Sequence, residues 1–229
     1  MMVEAGTTGK PATAPAWRGR VRPRNAASLI LLREGPAGLT VLMGRRGLSA
    51  RFMPGVYVCP GGRVADDDRR RWSGETGEAE GSAFRRLARA ALRETFEETG
   101  ILVGVKAPAG AAAAARFPIE AAYAAHGVVP DLSLLTYIGR AITPTASPLR
   151  FDTRFFLADA SYAVGGHADS AELDDVAWHS AYPGVERPMS GVTRFMLARA
   201  LAVWRGDTEP APLYRHIGKR AYVGGRPVR

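Results

Sequence analysis

Three carboxylates and one guanidinium fall within the run Arg93-Glu94-Thr95-Phe96-Glu97-Glu98. On a helix Glu94, Glu97 and Glu98 stand at i, i+3 and i+4, so all three share a sector of about 100°. Like charges packed that closely repel, and a helix built only for packing gains nothing from them. A divalent cation turns the repulsion into a binding site. Hard oxygen donors of this kind suit Mg²⁺ or Mn²⁺, above all where a phosphate completes the coordination. Arg93 precedes the acids, pairs with Glu97 at i+4 and is placed to orient them. Other reactive side chains offer less. His126, His167, His179 and His216 show no metal-ligand spacing, and Cys59 is the single cysteine, read as a small buried residue rather than a nucleophile.

The same run resembles the second half of the Nudix box, G-x5-E-x7-R-E-U-x-E-E-x-G-U with U aliphatic. Arg93, Glu94, Glu97, Glu98, Gly100 and Ile101 match, and Thr95 stands where an aliphatic residue is usual. Pro60-Gly61-Gly62 matches the opening of the box. Gly62 stands 23 positions before Arg85, which is aligned with the first box glutamate, so the loop carries an insertion of about 17 residues. That glutamate supports the helix more than it does chemistry, and its replacement predicts altered geometry before loss of activity.

Just upstream, Leu42, Arg45, Arg51, Gly55, Pro60, Gly61 and Gly62 keep the spacing of the signature L-L-T-x-R-S-A-x3-R-x3-G-x3-F-P-G-G of coenzyme A hydrolysing members; Met43, Arg46, Gly47 and Cys59 depart from it. With the split box, the chain is similar to the peroxisomal and mitochondrial coenzyme A diphosphatase branch. The resemblance implies a Nudix-type α/β/α sandwich that uses Mg²⁺ or Mn²⁺ to cleave coenzyme A or acyl-coenzyme A into 3′,5′-ADP and phosphopantetheine or its acyl form. It implies Glu94, Glu97, Glu98 and Gly61 as metal ligands, with Arg93 orienting the acids. Arg45 and Arg51 would grip substrate phosphates bidentately, and Gly61 and Gly62 would let the backbone approach metal or phosphate. Glu172 lies in a run, Glu172-Leu173-Asp174-Asp175-Val176-Ala177-Trp178, that resembles the acidic turn and strand facing the box helix. It is the candidate extra ligand or general base, with Asp174 or Asp175 as substitutes. Two alternatives stay open: a diphosphatase for ADP-ribose or a dinucleotide, and a noncatalytic nucleotide-binding module, which the residue Arg85 keeps in view.

These residues need a scaffold, and the hydrophobic pattern predicts one. Residues 1–25 are rich in Gly, Pro, Ala and Thr and read as an arm; 26–205 form the domain; 206–229 are a basic, Pro/Gly-rich tail. Strands are expected over 28–32, 40–43, 56–58, 101–105, 134–142, 153–158 and 176–179. The insertion, about 65–82, is polar and turn-prone, with too few apolar residues to pack, and reads as an exposed loop. A helix over 83–99 places Phe84, Ala88, Ala91, Leu92 and Thr95 in one stripe, and Gly100 closes it as a left-handed cap. Further helices are expected over 119–125 and 193–204, the second with Met196, Leu197, Ala200, Leu201 and Trp204 on one face. Strands and helices mixed in this order predict an α/β domain with a central mixed sheet between helices.

Composition agrees and excludes other classes. The chain has 229 residues, 46% of them hydrophobic and 23% charged, which suits a globular domain with extensions rather than a disordered or fibrous chain. One cysteine rules out an intramolecular disulfide framework, and no apolar run reaches the roughly 20 residues of a membrane span, so a cytoplasmic, membrane-free home is expected. The net charge of +9 is carried by dispersed arginines, with local clusters only at 18–24 and 69–71 and no interleaved aromatics. A nucleic-acid partner is therefore not expected; a small anionic nucleotide suits the charge as well. The sequence leaves monomer and homodimer equally open.

Overall fold

The computed structural model describes residues 21–36, 38–50, 52–77, 81–109, 115–182, 187–217 and 220–227. All but the last five residues of the expected arm lie outside these. The chain forms, in order, β1 (Arg24–Arg33), β2 (Thr40–Arg46), β3 (Tyr57–Val58), β4 (Gly61–Arg63), α1 (Gly81–Thr99), β5 (Leu102–Val103), β6 (Val105–Lys106), α2 (Pro118–Ala125), β7 (Val128–Val129), β8 (Thr136–Ile142), β9 (Phe151–Asp159), β10 (Ala163–Val164), β11 (Leu173–Ser180), α3 (Gly191–Trp204), β12 (Leu213–Ile217), β13 (Arg220–Val223) and β14 (Arg226–Pro227).

Side-chain alternation along the central strand sets the architecture. Ala27, Leu29 and Leu31 of β1 enter one core and Ile30 and Leu32 the other. A strand covered on both faces reads as a continuous apolar run for this reason. The main sheet runs β11-β2-β1-β9-β8-β12-β13-β14, with β3 paired to β2 and β4 to β1. β1 with β9 and β8 with β12 are parallel, while the other pairs are antiparallel, so the sheet is mixed. α1 and α2 bury Leu87, Ala91, Leu92, Ile119 and Tyr123 against one face, and α3 buries Met196, Leu197, Ala200 and Leu201 against the other. This is the expected α/β class, with helices on both sides of a central mixed sheet. α1 stops where expected: Gly100 takes φ +77° and its N–H donates to the Phe96 carbonyl at 2.7 Å.

Two expectations need correction. The insertion is not an exposed loop. Asp68 and Trp72 are 0% and 2% exposed, and Glu75 is buried as well. Trp72 is one of the few large apolar residues there, and it packs into the core beside Tyr123. The buried acids are tolerated because each meets a buried arginine of α1: Arg89 donates to both Glu75 oxygens at 2.6 and 2.8 Å, and Arg93 to both Asp68 oxygens at 3.0 and 2.9 Å. Ser73 N–H, donating to Glu120 Oε1 at 2.7 Å, ties the same segment to α2.

The segment beyond 206, expected as a tail, continues the sheet instead. β12 pairs in parallel with β8, and β13 and β14 follow as hairpins. Buried Tyr214 joins the core under α3, packing its ring on Phe195. Few apolar residues mark this segment because only one of its faces meets the core.

Candidate active site

α1 carries the acids to the point where β4 crosses in front of it. β4 pairs with β1 in the register Ala26 with Arg63, Ala27 with Gly62 and Ser28 with Gly61, which brings the two glycines against the helix. Both positions require glycine for space. A Cβ on Gly61 would lie 2.5 Å from the Ala27 carbonyl oxygen, and one on Gly62 would lie 2.4 Å from Glu94 Oε2. The absence of side chains lets the Gly61 N–H donate to Glu98 Oε2 at 2.8 Å.

The three acids have different surroundings. Glu98 is buried, and burial pushes its carboxyl up to about 8; the Gly61 N–H opposes this, while the charges of Glu94 and Glu172 add to it. Burial likewise pushes Glu94 up to about 7 against the pull of Arg93, with Glu97 and Glu172 raising it further. Glu97 keeps its side chain 52% exposed and accepts from Arg93 Nη1 at 2.7 Å. Arg93 holds the group together. Its Nη1 also donates to Glu94 Oε1 at 3.0 Å, and its Nη2 to the Arg63 carbonyl at 3.0 Å. Burial opposes the guanidinium charge, yet the bonds from Asp68 and the charges of Glu94 and Glu97 outweigh it and hold the group above its ordinary value. Thr95, at the usually aliphatic position, is buried with its hydroxyl donating to the Ala91 carbonyl at 2.7 Å, so it carries no unpaired group into the core.

A cleft of about 640 Å³ opens beside these acids, lined by Glu94, Glu172, Gly61, Gly62 and Arg46 and walled by apolar side chains that include Phe52, Phe151 and Phe155. Glu172 reaches it because β11 pairs with β2 so that Leu173 faces Arg46. Of the three acids weighed near this strand, Glu172 lines the cleft. Asp175 turns away and accepts the Tyr57 hydroxyl, and Asp174 pairs across the strands with Arg45.

The two expected phosphate ligands fare differently from the acids. Arg51 lies outside the described residues. Arg45 does not line the cleft. On β2 it shares its parity with Val41 and Met43, which enter the core under α3, whereas Arg46 shares parity with Leu42 on the α1 side. Arg46 lines the cleft and its charge acts on Glu98. The alternation was present in the sequence, and counting from Leu42 would have favoured Arg46.

Asp68 is the larger omission. It lies six positions after Gly62, the spacing the box assigns to its first acid, and it clasps Arg93. The insertion therefore follows Asp68, and Arg85 does not occupy the acidic position. The G-x5-D spacing was the available signal; alignment backward from Arg93 concealed it.

The donor set suits a hard divalent cation. Partly buried Glu94 and buried Glu98 are oxygen donors whose charges lack full compensation, and glycine at 62 leaves room for Glu94 to approach the strand. Among the described residues no three His, Cys, Asp or Glu side chains converge on one point, because Arg93 draws Glu97 aside and the Gly61 N–H holds Glu98. Cys59 is buried, and burial pushes its thiol up to about 12, which leaves it protonated and unreactive.

No protein-family model matches the chain. A crystal structure of a NUDIX hydrolase from Alicyclobacillus acidocaldarius is 33% identical, with a TM-score of 0.65 over 79% of this chain and 92% of that one. The Caenorhabditis elegans protein named "Putative nudix hydrolase 7" is 34% identical over 180 residues, 73% of this chain, and the match spans 55% of that protein's length. The NUDIX domain of Shewanella oneidensis NrtR, crystallised with ADP ribose, is 15% identical with a TM-score of 0.50 over 84% of this chain and 94% of that one, a likeness of fold alone.

Proposed function

The chain belongs to the Nudix hydrolase family, and from that premise we propose that it is a metal-dependent hydrolase of a nucleotide diphosphate linkage, with coenzyme A or acyl-coenzyme A as substrate. The observation that carries the reading is the meeting of partly buried Glu94 and buried Glu98 with the Gly61-Gly62 strand at a cleft also lined by Glu172.

Glu94, Glu98 and the Gly61 backbone would hold Mg²⁺ or Mn²⁺, with Glu97 and Glu172 at the rim. A cation bound there supplies charge neutralisation of the diphosphate and a more acidic water. The protein's part is positioning. Arg93 holds Glu94 and Glu97, and its bidentate grip on Asp68 stops the guanidinium from following the acids toward the substrate. Glu172, exposed at the cleft, takes the proton of the attacking water. Arg46 lies where it can meet a phosphate oxygen, and Phe52, Phe151 and Phe155 offer an apolar wall for the pantetheine or acyl portion. The spacing from Leu42 to Gly62 supports coenzyme A. With Asp68 in the acidic position of the box, Arg85 no longer favours a noncatalytic module. A cytoplasmic location is part of the same proposal; no described helix is long and apolar enough to cross a membrane.

The test is incubation with coenzyme A, dephospho-coenzyme A and ADP-ribose, each with Mg²⁺, Mn²⁺ or EDTA, with chromatography of products. Metal-dependent 3′,5′-ADP from coenzyme A is the expected result. Turnover of ADP-ribose alone would overturn the substrate assignment. Folded protein that turns over none of the three would overturn the hydrolase reading.

A further inference from the structure

A second cavity, of about 710 Å³, lies beside the first turns of α1 and shares only Arg63 with the acidic cleft. Five arginines line it: Arg24 from β1, Arg63 from β4, Arg69 from the segment that follows, Arg86 from α1 and Arg154 from β9. They come from four separate stretches of the chain, Arg63 and Arg69 sharing one, and two belong to the local clusters at 18–24 and 69–71. The fold gathers charge that is dispersed along the chain. Among the described residues its lining contains one acid, Asp66, whose side chain is 91% exposed and paired with Arg69 at 3.1 Å. Arg154 is paired with Asp152 at 2.9 Å. The side chains of Arg24, Arg63 and Arg86 make no hydrogen bond or ion pair among the described residues; Arg63 serves the fold through its carbonyl, which accepts from Arg93.

Unpaired guanidiniums turned into one concavity repel each other and focus positive potential there. Their planar forks match phosphate oxygens. The volume is that of a small-molecule site, and among the described residues no aromatic side chain lines it on which a base could stack. We propose that this cavity is a second binding site, for a compact phosphate-dense anion such as an inorganic polyphosphate or the triphosphate of a nucleotide. Its charge is opposite to that of the carboxylate cleft, so it needs no metal. That property separates the two sites experimentally and makes this proposal independent of the hydrolase reading.

The experiment is calorimetric titration of the full chain with tripolyphosphate, ATP and adenosine in EDTA at physiological salt. Tripolyphosphate and ATP are expected to bind and adenosine not to. A tripolyphosphate signal without one from ATP assigns the site to inorganic polyphosphate. Glu98→Gln retains the binding, Arg86→Ala weakens it roughly tenfold, and Arg24→Ala combined with Arg86→Ala weakens it further, from the usual strength of a charge-assisted hydrogen bond. Arg24 is exposed and Arg86 half-buried, neither side chain has a partner among the described residues, and unchanged melting of the double variant verifies its fold. Asp66→Ala, which removes the acid found among the described lining residues, tightens binding. No tripolyphosphate binding in EDTA, or equal affinity in the wild type and the double variant, overturns the proposal. Equally tight binding of short duplex DNA would overturn it in favour of an extended surface.

Discussion

Replacing Asp68 by Asn tests the anchoring of the insertion and the box together. The carboxylate is fully buried, grips Arg93 through both oxygens and accepts the Ala65 N–H at 2.7 Å. Asparagine keeps the shape, removes the charge and turns an amide donor toward a guanidinium. Removing one partner of a buried ion pair costs about 3–5 kcal/mol. Arg93 retains Glu94 at 3.0 Å and Glu97 at 2.7 Å, so the lower end applies, about 3 kcal/mol. That is a large share of a domain stability of about 5–15 kcal/mol, and in a chain of this length it lowers Tm by roughly 6–12 °C. Urea unfolding followed by tryptophan fluorescence is the assay, since Trp72 in the same segment is buried. Asp66→Asn, two positions away and exposed, is the control and leaves the midpoint unchanged. Turnover falls with Asp68→Asn even under conditions where the protein stays folded, because the guanidinium that holds Glu94 and Glu97 then loses its anchor. A loss of unfolding free energy of less than about 0.5 kcal/mol would refute the anchoring and return the segment to an ordinary surface loop.

Glu97→Gln and Glu98→Gln each abolish turnover while leaving the melting temperature near that of the wild type; near-normal rates at saturating metal would remove that residue from the site. Gly61→Ala and Gly62→Ala separate by what each methyl meets. At Gly61 it strikes the backbone of Ala27 and Ser28, which cannot yield, and stability drops by about 1–3 kcal/mol, read from denaturant melts. At Gly62 the atoms it meets first are those of the Glu94 carboxylate, which can rotate away, so the fold survives and activity is lost. Burial would raise the Asp152 carboxyl, but the bonds and charges of Arg140 and Arg154 outweigh it and hold the group below its ordinary value. A depressed carboxylate stabilises fully above its unfolded pKa of about 3.9 and loses that contribution as pH falls through the lower folded value. The stability gap between wild type and Asp152→Asn, measured by urea melts across pH, should therefore close below about pH 4.

What could be read from the sequence was local. The i, i+3, i+4 spacing of Glu94, Glu97 and Glu98, the cap at Gly100, the diglycine at 61 and 62 and the apolar run of the central strand each depend on neighbours within a few residues. They placed the acids on α1 and the mixed sheet between helices. Side-chain parity on β2 was also present and pointed to Arg46, though the signature's spacing drew attention to Arg45. Other features were beyond such reading. The G-x5-D spacing marked Asp68, but its burial and that of Glu75 were not legible, because a buried acid is affordable only with a buried partner, and their partners Arg93 and Arg89 lie 25 and 14 residues away. The strands after 206 are recognisable only beside β8, which supplies their hydrogen bonds. Likewise the arginines at 24, 63, 69, 86 and 154 form one cavity only after β1, β4, α1 and β9 are assembled. Pairing between distant charges and strands is a property of the closed fold, since it is there that desolvation makes an unmatched partner costly.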